Sequence, residues 1–265
     1  MASVRILLTN DDGIDAPGLL PFARALSGIG EVAVVVPDRE RSWVGKAITR
    51  FDPVHVAERT VDGITVFACT GYPADCVQLG LNGVLPERPE LVLSGVNIGY
   101  NCGAAYLQSS GTAGAALEAG IARVPAIAFS TGSSGMPWAE WKRWILTPEA
   151  MPVWERVSII AAGIAIEAFP HMVPGEVLNV GIPDDADDAT ERRITRVAEV
   201  GYARLFAEQS PGVYTHAYGD LVTGPDGLDG TDVEAAREGV ISVTAIRGAG
   251  NGPASNGVLE ALAGS

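Results

Sequence analysis

The stretch from residue 4 to residue 36 constrains the fold more than any other part of the chain. VRILLT (4–9) is a nearly continuous apolar run, the pattern of a strand buried on both faces. After NDDG (10–13), Leu19, Leu20, Phe22, Ala23 and Leu26 recur at helical spacing. Pro17 near the start and Gly28 past the end match the usual helix asymmetry. EVAVVV (31–36) is a second buried run. Strand, helix and strand within about 35 residues make a βαβ unit, and that unit implies a parallel sheet.

The pattern continues downstream. PVHVAERTVDGITVFAC (53–69) reads as two strands joined by a turn at Asp62-Gly63. A short helix is expected over 73–81 and a short strand over 91–93, ending at SGVN (94–97). A Gly- and Asn-rich loop over 95–109, a helix over 110–122 and a strand over 125–130 follow. Residues 1–130 therefore read as a Rossmann-like α/β core: a mostly parallel sheet flanked by helices, carrying a metal and phosphate site. Residues 131–265 are expected to complete the sheet and helices. Trp138, Trp141 and Trp144, three apart, fit one edge of a helix packed on the core. A helix over 152–169 and a strand over 176–181 follow. Residues 192–218 alternate as hairpins do, and TDVEAAREGVISVTAI (231–246) gives a helical turn and then a strand.

Charge and cysteine usage exclude several classes. The formal charge of −14 repels nucleic-acid backbones, so no DNA or RNA scaffold role is expected. The run Val157–Ile166 is far short of the roughly 20 apolar residues that cross a membrane. MASVRILLTNDD has no extended signal-peptide core before its acids, so a cytoplasmic location is expected. Cys69, Cys76 and Cys102 contain no C-x-x-C, which argues against a thiolate zinc site. Any metal must be held mostly by oxygen.

Ligands bind at the carboxyl ends of the strands of an open parallel sheet. Three oxygen-rich loops leave such ends: NDDG, residues 37–50, and SGVN. Asp11 and Asp12 repel one another, so they either cap a helix or share a divalent cation. Loop 37–50 is net positive within an acidic chain, and Ser42 adds a hydroxyl for metal or phosphate. Asn97 and Asn101 lie among Gly95, Gly99 and Gly103, where backbone comes close to a ligand. Ser110, Gly111 and Thr112 open an Ala-rich helix, which is both a capped helix start and an anion site. A Walker loop, a G-x-G-x-x-G fingerprint and a G-x-S-x-G elbow are all missing.

Together ILLTNDDG (6–13), VVPDRERSWVGKAIT (35–49), TGYPADCVQLGL (70–81), LVLSGVNIGYNCG (91–103), SGTAGAALEAG (110–120) and the late TD…GVISVT (231–244) resemble the SurE stationary-phase survival proteins, metal-dependent 5′(3′)-nucleotidases. The resemblance implies metal ligands at Asp11, Asp12, Ser42 and Asn97. It also implies a smaller C-terminal region with an extended β-hairpin, about residues 200–220. In that family the hairpin and a C-terminal segment are often exchanged between subunits of a homodimer or homotetramer. The chain departs from the family pattern at Ala104 and Ala105, at Ser109, and at Trp43, where a small residue usually follows the serine.

The expected activity is a phosphomonoesterase acting on nucleoside monophosphates with one Mg²⁺ or Mn²⁺ per subunit. Asp11 and Asp12 would be metal ligands, and one of them the general base. Asn10, Asn101, Ser110, Gly111 and Thr112 would bind substrate. Two alternatives compete. One is an aspartyl-phosphate phosphatase of haloacid dehalogenase type, which expects D-x-D rather than DDG. The other is a non-catalytic metal- and nucleotide-binding module.

Overall fold

The computed structural model describes residues 3–217, 221–224 and 226–248. The opening unit consists of β1 (Val4–Thr9), α1 (Leu19–Ser27) and β2 (Gly30–Pro37), with β1 and β2 parallel. Next, β3 (Val56–Val61) and β4 (Ile64–Cys69) form an antiparallel hairpin. Its turn residues Asp62 and Gly63 have φ of 48° and 81°, the conformation a two-residue I′ turn requires. Then come α2 (Pro73–Asn82), β5 (Leu91–Ile98), α3 (Ala104–Ser109), α4 (Gly111–Ile121) and β6 (Ala126–Gly132). Helices α5 (Trp138–Trp144) and α6 (Met151–Ala168) lead to β7 (Val177–Pro183). The remainder is β8 (Arg192–Thr195), β9 (Val200–Tyr202), β10 (Phe206–Ser210), β11 (Val213–His216), β12 (Leu221–Thr223), α7 (Asp232–Arg237) and β13 (Ile241–Ile246).

One nine-stranded sheet runs in the order β3-β4-β2-β1-β5-β6-β7-β13-β8. It is parallel from β4 through β7, and β3 and β13 pair antiparallel to their neighbours β4 and β7. Alternate residues of β1 serve opposite faces, as a strand's period of two dictates. Ile6 and Leu8 pack in the layer holding α1 and α6, with Phe22, Leu26 and Trp154. Leu7 packs in the layer holding α2 and α4, with Cys76, Val77, Ala115 and Ala119. Each of the leucine, isoleucine, valine and phenylalanine side chains among these, fully removed from water, contributes about 1.5–3 kcal/mol. Among the described residues, no helix is long and apolar enough to cross a membrane.

Three local expectations are corrected. SGVN does not lie beyond the strand, because β5 continues through Ile98. After a register shift between Ser94 and Asn97 it regains pairing with β6, Asn97 opposite Ser130 and Ile98 opposite Thr131. The 95–109 loop contains α3, whose six residues are too few to display an amphipathic period. That helix is anchored from outside: the Ala104 amide donates to the Ala198 carbonyl at 2.9 Å, and the Gly103 amide to the Asp232 carboxylate at 2.8 Å. Finally, the 192–218 alternation splits three ways. β8 joins the main sheet beside β13, β9 pairs with β12, and β10–β11 form the hairpin. Alternation shows which side chains share a face but not which strand is the partner. Residues 218–220 of the expected hairpin, and 249–265 of the expected C-terminal exchange segment, lie outside the described residues.

Candidate active site

β2 lies on one side of β1 and β5 on the other, so the direction of strand addition reverses at β1. The crevice beyond the carboxyl ends of β1 and β5 is where an open α/β sheet binds ligands. NDDG sits there. Asn10 closes this turn with both ends of its amide: Oδ1 accepts from the Gly13 amide at 3.1 Å and Nδ2 donates to the Gly13 carbonyl at 3.0 Å. Asn10 therefore shapes the turn. Gly13 has φ of 87°, and a Cβ there would lie 2.6 Å from the Arg39 carbonyl carbon. Only glycine admits this approach of the 38–55 loop. The Arg41 amide completes the junction by donating to the Asp11 carbonyl at 2.6 Å.

Asp11 is buried against the start of α4. The Thr112 hydroxyl donates to Asp11 Oδ1 at 2.5 Å, and the Gly111 and Thr112 amides face the same carboxylate. A Cβ on Gly111 would sit 2.7 Å from Asp11 Cβ. The positive end of an 11-residue helix is thus directed at a side chain of the protein itself. Gly111 and Thr112 thus hold the Asp11 carboxylate. Ser110 caps the helix, its Oγ accepting from the Ala113 amide at 3.0 Å, while its proton stays available to a ligand.

Asp12 is half-buried and takes one bond, from the Ile98 amide to Oδ2 at 3.1 Å. Ser42 Oγ donates to Glu40 Oε1 at 2.7 Å, leaving its lone pairs open. Asn97 Nδ2 donates to the Gly99 carbonyl at 2.7 Å, which leaves Asn97 Oδ1 as an acceptor at the crevice. Burial raises the pKa of Asp11 in spite of the donors around it. Asp12 is pushed well above the usual carboxylate range, first by burial, then by the Asp11 charge, with Glu40 adding to it.

The side chains available here are two carboxylates, a hydroxyl and an amide oxygen. All are hard donors, and the two acids crowd one another. Among the described residues, no group of three or more His, Cys, Asp or Glu is arranged to hold an ion. The pair plus neutral oxygens suits Mg²⁺ or Mn²⁺ better than a thiophilic metal.

Asp11, Ser42, Asn97, Asn101 and Ser110 line a single cavity of about 480 Å³. Asn101 Nδ2 is buried in its wall with no hydrogen-bond partner among the described residues, a donor whose desolvation is uncompensated until an acceptor enters. A smaller cavity of about 300 Å³ is lined by Asp12, Asp15 and Arg39, among others. Glu40, Ser42, Ile98 and Lys142 line both cavities. Sequence reasoning missed Glu40 and Lys142. Glu40 reads as a local counter-charge to the loop's arginines. Lys142 is remote in sequence, although its i,i+4 spacing from Trp138 puts the two on one face of α5.

The family model described as Survival protein SurE matches residues 6–204. The chain belongs to the SurE family. A 5′-nucleotidase SurE of Rubrobacter xylanophilus is 40% identical over 252 residues, covering 92% of this chain and 91% of that protein. A 5′-nucleotidase SurE of Methanococcoides burtonii is 36% identical over 252 residues, 92% of this chain and 93% of that protein. The crystal structure of a SurE protein from Aquifex aeolicus superposes with a TM-score of 0.70 at 31% identity, covering 92% and 93% of the two chains.

Within the SurE frame, Ala104 and Ala105 lie on α3, while Ser109 and Trp43 line the larger cavity with Asp11, Ser42 and Asn97. The Tyr202 hydroxyl donates to the Ala105 carbonyl and lies 2.9 Å from Ser109 Oγ. Ala104 and Ala105 thus serve backbone anchoring of α3. Trp43 departs differently: its ring stands in the wall of the larger cavity, next to Ser42.

Proposed function

We propose that the protein is a metal-dependent 5′-nucleotidase that hydrolyses nucleoside monophosphates to nucleoside and phosphate. The observation that carries this reading is the Asp11–Asp12 pair at the sheet's switch point, completed by Ser42 and Asn97 and opening onto a cavity whose Asn101 amide donor has no partner among the described residues. The names of the SurE relatives, 5′-nucleotidase in each case, agree with it.

In this reading Asp11, Asp12, Ser42 and Asn97 hold one Mg²⁺ or Mn²⁺ per subunit. When bound, the ion supplies positive charge opposite the phosphate oxygens and Lewis acidity at the site. The protein's own groups do the remainder. Asn101 Nδ2 and the Ser110 hydroxyl donate to the phosphate, Lys142 adds positive charge at the mouth, and the leaving group occupies the rest of the cavity. Asp12 Oδ1 has no hydrogen bond among the described residues, which makes it the proton acceptor we favour over Asp11, whose Oδ1 is committed to Thr112.

The cytoplasmic assignment rests on three free, buried cysteines in a SurE fold. Subunit exchange through the β10–β11 hairpin is supported by its exposed apolar residues Phe206, Val213 and Tyr214. Light scattering that finds a monomer would remove that part of the reading.

The test of activity uses purified protein with AMP, GMP and p-nitrophenyl phosphate, Mn²⁺ or Mg²⁺, and parallel samples in EDTA. Chelator-sensitive phosphate release is expected. Ion binding without turnover would instead favour a regulatory module, and a trapped aspartyl phosphate a dehalogenase-type mechanism.

A further inference from the structure

Most of the larger cavity's wall has no part in phosphate chemistry. Beside the polar donors it carries Trp43, Tyr106, His216, Tyr100 and Trp138. A volume of about 480 Å³ lies within the 300–1,000 Å³ range of sites that enclose whole small molecules, far more than a phosphate group needs.

Trp43 is the centre of this wall. Its ring lies 4.6 Å from the His216 ring, 6.0 Å from Tyr106 and 5.7 Å from Tyr202. These partners come from β11, α3 and β9, so four separate segments bring aromatic rings together at one place. Despite that packing, Trp43 remains 41% exposed, and it faces the cavity. Its backbone is also unusual, with φ of 63°, in the left-handed region that bulky residues avoid. Such conformations persist where the surroundings hold them, and they concentrate at ligand sites. A second ring, Trp138, is 42% exposed on the same cavity. It rests on Gly99, where a Cβ would meet the indole at 2.9 Å, and Lys142 Nζ lies 5.9 Å from its centroid.

We propose that Trp43 is a specificity-determining residue that holds a planar ring of the leaving group, so that the preferred substrates are phosphate monoesters bearing an aromatic base or aryl group. The inference rests on the phosphomonoesterase reading and deepens it. Trp43 is adjacent in sequence to Ser42, so the ring it holds belongs to the same molecule whose phosphate meets the oxygen donors. Aromatic stacking recognises the π-face that every base has, and one such stack is worth roughly tenfold or more in affinity.

The test compares kcat/KM for AMP with that for ribose 5-phosphate, which has the same phosphoester without the base. Wild type, Trp43→Gly and Trp43→Phe are assayed. Glycine is the residue best suited to φ of 63°, so the first variant keeps its backbone. The wild-type ratio of AMP to ribose 5-phosphate is expected to exceed tenfold. It should fall about tenfold in Trp43→Gly, chiefly through KM, and stay within about threefold in Trp43→Phe. A ratio unchanged within about twofold in Trp43→Gly overturns the proposal, as does an equal loss in both variants. Calorimetric titration with AMP and ribose 5-phosphate gives the same ratio from binding alone. If no ester is hydrolysed, the phosphomonoesterase reading fails, while the calorimetric ratio still decides whether Trp43 holds the ring.

Discussion

Gly111→Ala tests whether the start of α4 positions Asp11. In a helix interior this change is favourable by about 0.5–1 kcal/mol, because alanine loses less backbone freedom, and at the first position of α4 the gain is smaller. Here the new Cβ would lie 2.7 Å from Asp11 Cβ, 2.9 Å from Asp11 Oδ2 and 3.1 Å from Pro73 Cγ. Carbon atoms at rest stand about 3.5–4.0 Å apart, so Asp11 or the helix start must move by about 1 Å. Overpacking of this kind costs about 1–3 kcal/mol. The net loss is therefore at most about 3 kcal/mol, or at most about 12 °C in Tm for a chain of this size. The fold therefore survives. The site does not: a misplacement of about 1 Å in a reacting constellation costs about a hundredfold in rate. Phosphate release from AMP and calorimetric Mn²⁺ binding are measured on the same preparation as the melting curve. The expected result is a folded protein with about a hundredfold less turnover and weakened ion binding. A variant with turnover within threefold of the parent would refute the claim that α4 sets the Asp11 carboxylate.

Thr112→Val removes the hydroxyl that donates to Asp11 with little change of shape, and Mn²⁺ affinity should fall about tenfold by titration, since hydrogen bonds to charged groups contribute about 1.5–3 kcal/mol. Asp12→Asn should raise the Tm of metal-stripped protein by ending the repulsion with Asp11. It should also abolish the stabilisation by Mn²⁺, which at a hundredfold excess over Kd is about 2.7 kcal/mol, or roughly 5–10 °C. The acid pair also sets a pH dependence. Asp11 and Asp12 titrate above the ordinary 3.8 in the folded protein, so that state binds more protons than the unfolded chain. Their contribution is full below that ordinary value and is lost as pH rises through the raised folded values. Urea titrations of stripped protein from pH 4 upward should show a steeper decline for wild type than for Asp12→Asn, and parallel declines would contradict the assignment. Asp232→Ala leaves the buried Gly103 and Ala198 amides unpaired, for a loss of about 2–4 kcal/mol in urea unfolding.

The α/β core was readable because its strands are buried on both faces, and such strands announce themselves as unbroken apolar runs. Leu7 between Ile6 and Leu8 is the clearest case, since all three are sealed in opposite layers. Helix α3, less than two turns long, was not readable. Helix α3 depends on Asp232 and Ala198, far along the chain, and pattern within six residues carries no trace of them. β5 runs through SGVN because β6 pairs with its far end, a contact local composition does not encode. At the site, residue type pointed to the oxygen donors, and the structure brings Asp11, Ser42 and Asn97 onto one cavity with Asp12 beside them. What residue type left open was the direction of each polar group. Asn10 turns inward to close NDDG against Gly13, and the Thr112 hydroxyl turns to Asp11. Glu40 and Lys142 entered only through the packing of a loop and a helix against the same crevice.

The central claim is that Asp11, Asp12, Ser42 and Asn97 together hold one divalent ion. The most direct measurement is titration of Mn²⁺ into metal-stripped protein, with free ion followed by its paramagnetic resonance signal. One tightly bound ion per chain is expected in wild type, with Asp12→Asn and Asn97→Ala each losing it. Failure of wild type to bind Mn²⁺, or equal binding by Asp12→Asn, would contradict the assignment.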